Sequence, residues 1–263
     1  MLPDIYTQTI SDNRRPLIAW SAGITAVGLM YAGFYPQVSS GGMADTVQNY
    51  PEAMREALRL DDMSSAAGYL GSSVFGLLLP LLAMIFGVTF GARAIAGDEE
   101  SGYLDLLLAY PISRTRLALQ RFAALVTGAT AIGLLVLLGM LAIRSSADLD
   151  SISVGEFAAQ CLNLTLLAIT FGALAIGLGA ATGRRGLVLA SAAAIGVLTY
   201  AAHSLGGVIG AEWLEYLSPF HYYIGGEPLR NGIQWVDAAI LFAISAILVI
   251  AGLTRFNRRD LTS

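Results

Sequence analysis

The chain has 263 residues, 56% hydrophobic against 13% charged, and a mean hydropathy of +0.65. Soluble domains carry about 25% charged residues, so this is the composition of an integral membrane protein with no room for a large soluble domain. A net charge of −4, with every basic residue an arginine, argues against a nucleic-acid partner, which needs clustered positive charge to neutralise phosphates.

At the start of the chain Leu2, Ile5, Tyr6, Thr9 and Ile10 recur at i, i+3, i+4, i+7 and i+8. This spacing predicts a short amphipathic helix along the cytoplasmic membrane interface. Six apolar runs follow, at 16–35, 74–96, 122–143, 157–182, 187–209 and 235–254, each close to the ~20 residues that cross a bilayer. An unpaired backbone amide in lipid costs several kcal/mol, and the runs lack the alternation of barrel strands. The expected fold is therefore an all-α bundle of six transmembrane helices, forming one transmembrane domain over residues 1–263.

Between the first two runs, Pro51 to Leu60 predicts a local helix, opened by proline with an acid at its start. Pro80 lies in the second run, where a kink is expected and neighbours or side chains re-satisfy the carbonyl that its missing N–H frees. The fourth run places small residues four apart, as in Ala168/Gly172, Ala173/Gly177 and Ala175/Gly179, which permits close helix contact inside the bundle or between subunits. Before the sixth run, Glu212 to Gly226 is dense in aromatics, as expected of an interfacial belt or an outer gate.

Arginine placement sets the orientation. With six spans, Arg14, Arg15, Arg93, Arg114, Arg116, Arg121, Arg184, Arg185, Arg255, Arg258 and Arg259 fall on one side, and only Arg55, Arg59, Arg144 and Arg230 on the other. The positive-inside rule then places both termini in the cytoplasm.

No GxxxxGK[ST] phosphate loop occurs, so ATP binding of the phosphate-loop type is not expected in this chain. HExxH, CxxC and GxSxG patterns are also missing, and no catalytic residue is assigned. His203 and His221 are separated in sequence, and the lone Cys161 lies in an apolar run; no metal site and no disulfide is expected from them. Charge at the bilayer centre costs at least ~2.5 kcal/mol per group and normally marks ion pathways. Only Arg93 and Asp237, near span ends, and His203 qualify, so uphill transport would draw its free energy from another subunit.

The loop after the second run carries the most specific signal: Glu99-Glu100-Ser101-Gly102-Tyr103-Leu104-Asp105-Leu106-Leu107-Leu108, then Ala109-Tyr110-Pro111-Ile112-Ser113-Arg114. Acids suit a helix N-terminus, Leu104, Leu107 and Leu108 share one face, and Pro111 ends the helix, leaving an apolar ridge able to press into a groove on a cytosolic protein. This stretch resembles the first cytoplasmic loop of ABC-2-type exporter permeases, with Tyr103 where threonine is common. The six-span topology, interfacial N-terminal helix and Ser-Pro-aromatic segment before the last span are similar to that family throughout.

The resemblance implies the permease subunit of an ATP-driven exporter in a bacterial or archaeal cytoplasmic membrane. Its partners would be an ABC-type ATP-binding subunit, a second or homologous permease copy, and membrane lipid. ATP and Mg would sit on the partner ATPase, with no cofactor in this chain. The ATPase-coupling residues would be Glu99, Glu100, Gly102, Leu104, Leu107, Leu108, Pro111 and Arg114. Apolar walls suit amphipathic or hydrophobic cargo. Two other readings are an anchor that passes ATPase force to an extracytoplasmic partner and a secondary transporter acting alone; the latter predicts an intramembrane carboxylate or inverted repeat.

Overall fold

The computed structural model describes residues 4–40 and 65–259; the helix expected over 51–60, along with Leu2, lies outside them. Six helices are long and apolar enough to cross a membrane: Arg14–Ser40, Ala66–Glu100, Arg114–Ile143, Val154–Thr182, Arg185–Leu205 and Trp235–Arg258. These are the first to sixth spans. No strand occurs among the described residues.

Most helices run past the apolar stretches that reveal them. The third span starts at Arg114 rather than 122, because hydrogen bonding continues through the polar turns outside the hydrocarbon. Its 30 residues measure about 45 Å, against a hydrocarbon core of about 30 Å. Ser113 caps this helix by accepting from the Arg116 N–H at 3.2 Å. The fifth span ends at Leu205, short of 209, where a Gly206-Gly207 pair follows. The fourth opens on a capping box of Ser153 and Glu156.

The fourth span is the axis of the bundle, with 67% of its apolar stretch buried against 17% for the fifth span. Its small residues let neighbours approach to backbone contact. A Cβ added at Gly91 of the second span would lie 2.5 Å from the Gly172 carbonyl oxygen and 2.8 Å from Ala175 Cβ; one at Gly252 of the sixth span would lie 2.7 Å from Gly177 Cα. Of the two placements the small-residue spacing allowed, the structure selects the inside of the bundle. Thr170 and Ser245 add a buried hydroxyl pair at 2.9 Å between the fourth and sixth spans.

The second span is the least regular. It passes from π-helix over Leu70–Leu78 to α-helix over Leu79–Ala92, then to π-helix over Arg93–Gly97. Pro80 sits at the first α-helical turn and has no N–H for Gly76 in α register or for Phe75 in π register. Tyr200 of the fifth span donates its hydroxyl to the Gly76 carbonyl at 3.3 Å, and Tyr223 donates to the Phe75 carbonyl at 2.8 Å. The neighbours required by the proline are these two tyrosines.

Tyr223 belongs to the short helix Pro219–Ile224, which Ser218 caps from a fully buried position. Asn163 of the fourth span donates to the Tyr223 carbonyl at 3.0 Å. The aromatic segment is therefore packed into the bundle through Phe220, Tyr223 and Ile224, while Trp213, Tyr216 and Leu217 remain exposed.

Candidate functional site

The N-terminal helix forms over Ile5–Asp12 and buries Ile5 and Thr9. Its amphipathic spacing has a partner in the protein itself: Tyr6 Oη lies 3.0 Å from Thr127 Oγ1 of the third span, and Gln8 donates to the Tyr103 hydroxyl at 2.6 Å. This helix, the arginine-rich span ends and the loop after the second span gather at one end of the bundle.

There the three acids have a different place from the one expected of a helix N-terminus. Asp98, Glu99 and Glu100 form the last turn of the second span. Gly102, in the left-handed region at φ 72°, then reverses the chain into a separate six-residue helix, Tyr103–Leu108. Carboxylates at a helix C-terminus oppose the macrodipole, and here each is compensated by a different element. Asp98 pairs with Arg121 of the third span, Glu99 pairs with Arg259 just beyond the sixth, and Glu100 accepts the Arg185 N–H that opens the fifth at 2.8 Å. The end of the second span is thus clamped to three others.

Glycine at 183 makes the clamp possible. It caps the fourth span at φ 65°, and a Cβ there would stand 2.5 Å from Glu99 Oε1. Arg114, expected in the coupling set, donates to the carbonyls of Phe256 at 2.9 Å and Arg259 at 2.6 Å. It satisfies the end of the sixth span as cations commonly do.

The leucine ridge packs inward. Leu104 and Leu107 point into the protein's own core, at 1% and 5% exposure, and Leu108 is half-buried. The physical reason is that a helix amphipathic enough to dock elsewhere first covers the nearest apolar surface, the ends of its own spans. The outward face of the short helix carries Asp105 and Leu106, and the turn after it exposes Ala109, Tyr110 and Pro111. Leu106 is 65% exposed and Tyr110 is 55% exposed. Of the residues named from sequence, Glu99, Glu100, Leu104, Leu107 and Arg114 hold this loop in place, whereas Gly102 and Pro111 shape its two ends.

Sequence reading missed Arg121, Arg185 and Arg259 as partners and counted them only as topological charge. It also placed the third span after Arg121, so the ion pair between helix-borne Asp98 and an arginine only 8% exposed escaped notice. The available signal was an arginine interrupting an apolar helical pattern. Beside the pair lies a polar cavity of about 190 Å³, lined by residues including Gln8, Asp12, Arg93, Asp98, Tyr103 and Arg121.

At the opposite end, the two histidines separated in sequence are neighbours in space. Their ring centroids are 6.1 Å apart.

Comparison with curated proteins gives no match. The profile of a protein family described as multidrug efflux system permease Rv1217c, C-terminal domain, matches residues 10–257. That range includes all six spans apart from the last residue of the sixth, as well as the clamped loop and the aromatic segment before the sixth span. The chain therefore belongs to the family of the C-terminal domain of the multidrug efflux system permease Rv1217c.

Proposed function

We propose that this protein is the membrane-spanning permease subunit of an ATP-driven exporter, working with a separate ATP-binding subunit and a second permease copy. The exposed face of the loop helix, Leu106 with the following Tyr110, carries this reading. It is an apolar, accessible knob on a mount held by three ion-pair or hydrogen-bond contacts to three spans, so a push on it would reach the bundle. Leu104 and Leu107, which the sequence suggests as the docking ridge, act as its root. ATP and Mg belong to the partner ATPase, and family membership supports outward movement of drug-like, amphipathic cargo.

The fifth span supports the need for a second copy. Its Leu187, Ile195, Val197 and Leu198 are exposed, and so little of it is buried that lipid or another permease must cover it. The pathway would run between two copies, beside spans one, two and five.

The test is co-purification with an ABC-type ATPase and reconstitution into liposomes. The permease alone should neither hydrolyse ATP nor take up substrate on an ion gradient. With the ATPase, transport should appear, and Leu106→Asp or Tyr110→Asp should release the ATPase or uncouple hydrolysis while leaving the fold intact. Full coupling in both variants would refute the docking role of this face.

A further inference from the structure

At the outer end of the fifth span, three side chains with metal-binding chemistry converge from three separate elements. His203 comes from the last turn of the fifth span, Glu215 from the 3₁₀ turn Glu212–Leu217, and His221 from the helix Pro219–Ile224. One possible ligand atom from each lies within 4.8 Å of the other two. Glu215 Oε2 is 3.8 Å from His221 Nδ1, and the two imidazoles meet edge to face, with an interplanar angle of 75°.

The supports of this cluster are built in. A Cβ at Gly206 would come within 2.7 Å of Glu215 Cγ, so glycine there leaves space for the glutamate stem beside the end of the fifth span. His221 is fixed through its helix: the Ser218 cap lies on one side, and the Tyr223 bonds to Phe75 and Asn163 lie on the other. The rings of Tyr216 and Tyr222 flank His221 at 4.6 and 5.2 Å. Rigid elements with locked neighbours are what a metal site requires of its first ligands.

We infer that His203, Glu215 and His221 form an extracytoplasmic binding site for a divalent transition-metal ion of the Zn²⁺ class. Two imidazoles and one carboxylate are a donor set that suits Zn²⁺, whereas Ca²⁺ and Mg²⁺ prefer all-oxygen shells. Bonds of about 2.0–2.1 Å in a tetrahedron place ligand atoms about 3.4 Å apart. The candidate atoms lie within 4.8 Å of one another, and binding would draw the side chains together from there. Three protein ligands leave a fourth position for water. A bound ion would tie the fifth span to the aromatic segment and hold the outer end of the permease in one arrangement. Neither the site nor its test depends on the exporter reading, because binding is measured on the purified chain without an ATPase.

The full chain, purified through a tag without histidine and stripped with a chelator, would be titrated with Zn²⁺ by calorimetry and its retained metal counted. One equivalent per chain is expected. His203→Ala, His221→Ala and Glu215→Gln should each weaken binding by about 100-fold or more, since even outer-shell losses cost 10–100-fold. On the wild-type chain, Co²⁺ should give the intense visible absorption of a tetrahedral site, and Zn²⁺ should raise the thermal midpoint. Glu215→Gln, a change in a partly exposed turn, should remove that rise even if a histidine variant fails to fold. Absence of both signals in the wild type, or stoichiometric binding that survives loss of either histidine, overturns the proposal.

Discussion

Tyr200 donates its hydroxyl to the carbonyl of Gly76 at 3.3 Å, four residues before Pro80. The bond joins the sparsely buried fifth span to the irregular second span at the point where proline withholds a backbone donor. The pair couples, through one hydroxyl, the second span, whose end is held in the loop clamp, to the fifth span, which carries His203.

If Pro80 is the reason for that bond, the two positions are energetically coupled. Tyr200→Phe should destabilise the chain by about 1 kcal/mol, the usual net worth of a hydrogen bond, with membrane examples averaging nearer 0.6. In a Pro80→Ala background, where an N–H is restored, that cost should fall toward zero. Unfolding in mixed detergent micelles across the four variants gives the coupling energy. Tyr223→Phe should cost more, about 1–3 kcal/mol, because Tyr223 is fully buried and its loss orphans the Phe75 carbonyl.

Clamp residues should differ according to burial. Asp98→Ala leaves Arg121 buried without its counter-charge and should cost about 3–5 kcal/mol. Glu100 is exposed, and Glu100→Ala should cost about 1 kcal/mol or less. Gly183→Ala should exceed the ~1–2 kcal/mol of a left-handed alanine, because its Cβ would also displace the Glu99 carboxylate. Thermal midpoints of the three purified variants check the order.

Gly91→Val should separate the second and fourth spans, because the new Cβ meets the Gly172 carbonyl and Ala175. A loss of about 3 kcal/mol or more, or failure to fold, is expected of such core overpacking. Gly23→Ala, which meets nothing within 4 Å, should be neutral or slightly stabilising. Detergent-resistant folded yield separates the two outcomes.

Leu104→Asp and Leu106→Asp contrast root and face of the same short helix. The first buries a carboxylate in apolar surroundings and should lower stability by several kcal/mol in the absence of any partner. The second lies on an exposed surface and should stay within about 0.5 kcal/mol. Equal stability losses in the isolated chain would contradict the observed packing.

Orientation is testable by single cysteines in a Cys161→Ala background. Positions Ser101, Ser113 and Gly186 should resist an impermeant thiol reagent in intact cells, and Ser146 and Ser151 should react. All five are exposed. Gly183 is unsuitable as a probe because its backbone and the Glu99 carboxylate reject a side chain. Reaction at Ser113 from outside would reverse the topology drawn from arginine placement.

Sequence alone determined the six membrane helices and the N-terminal helix, and marked Pro80 as a point where a freed carbonyl is re-satisfied. These are local matters of apolar length, helical period and a missing N–H, and each can be read within one segment. It could not show which face of Tyr103–Leu108 is free, because the ridge of Leu104 and Leu107 suits a foreign groove and the protein's own core equally well. Only packing decides between them. Nor could it pair Asp98 with Arg121, Glu99 with Arg259, or His203 with His221 and Glu215. Charges such as Glu99 and Arg259 meet only when close contacts such as Gly91 on Gly172 and Gly177 on Gly252 bring their spans together around the fourth.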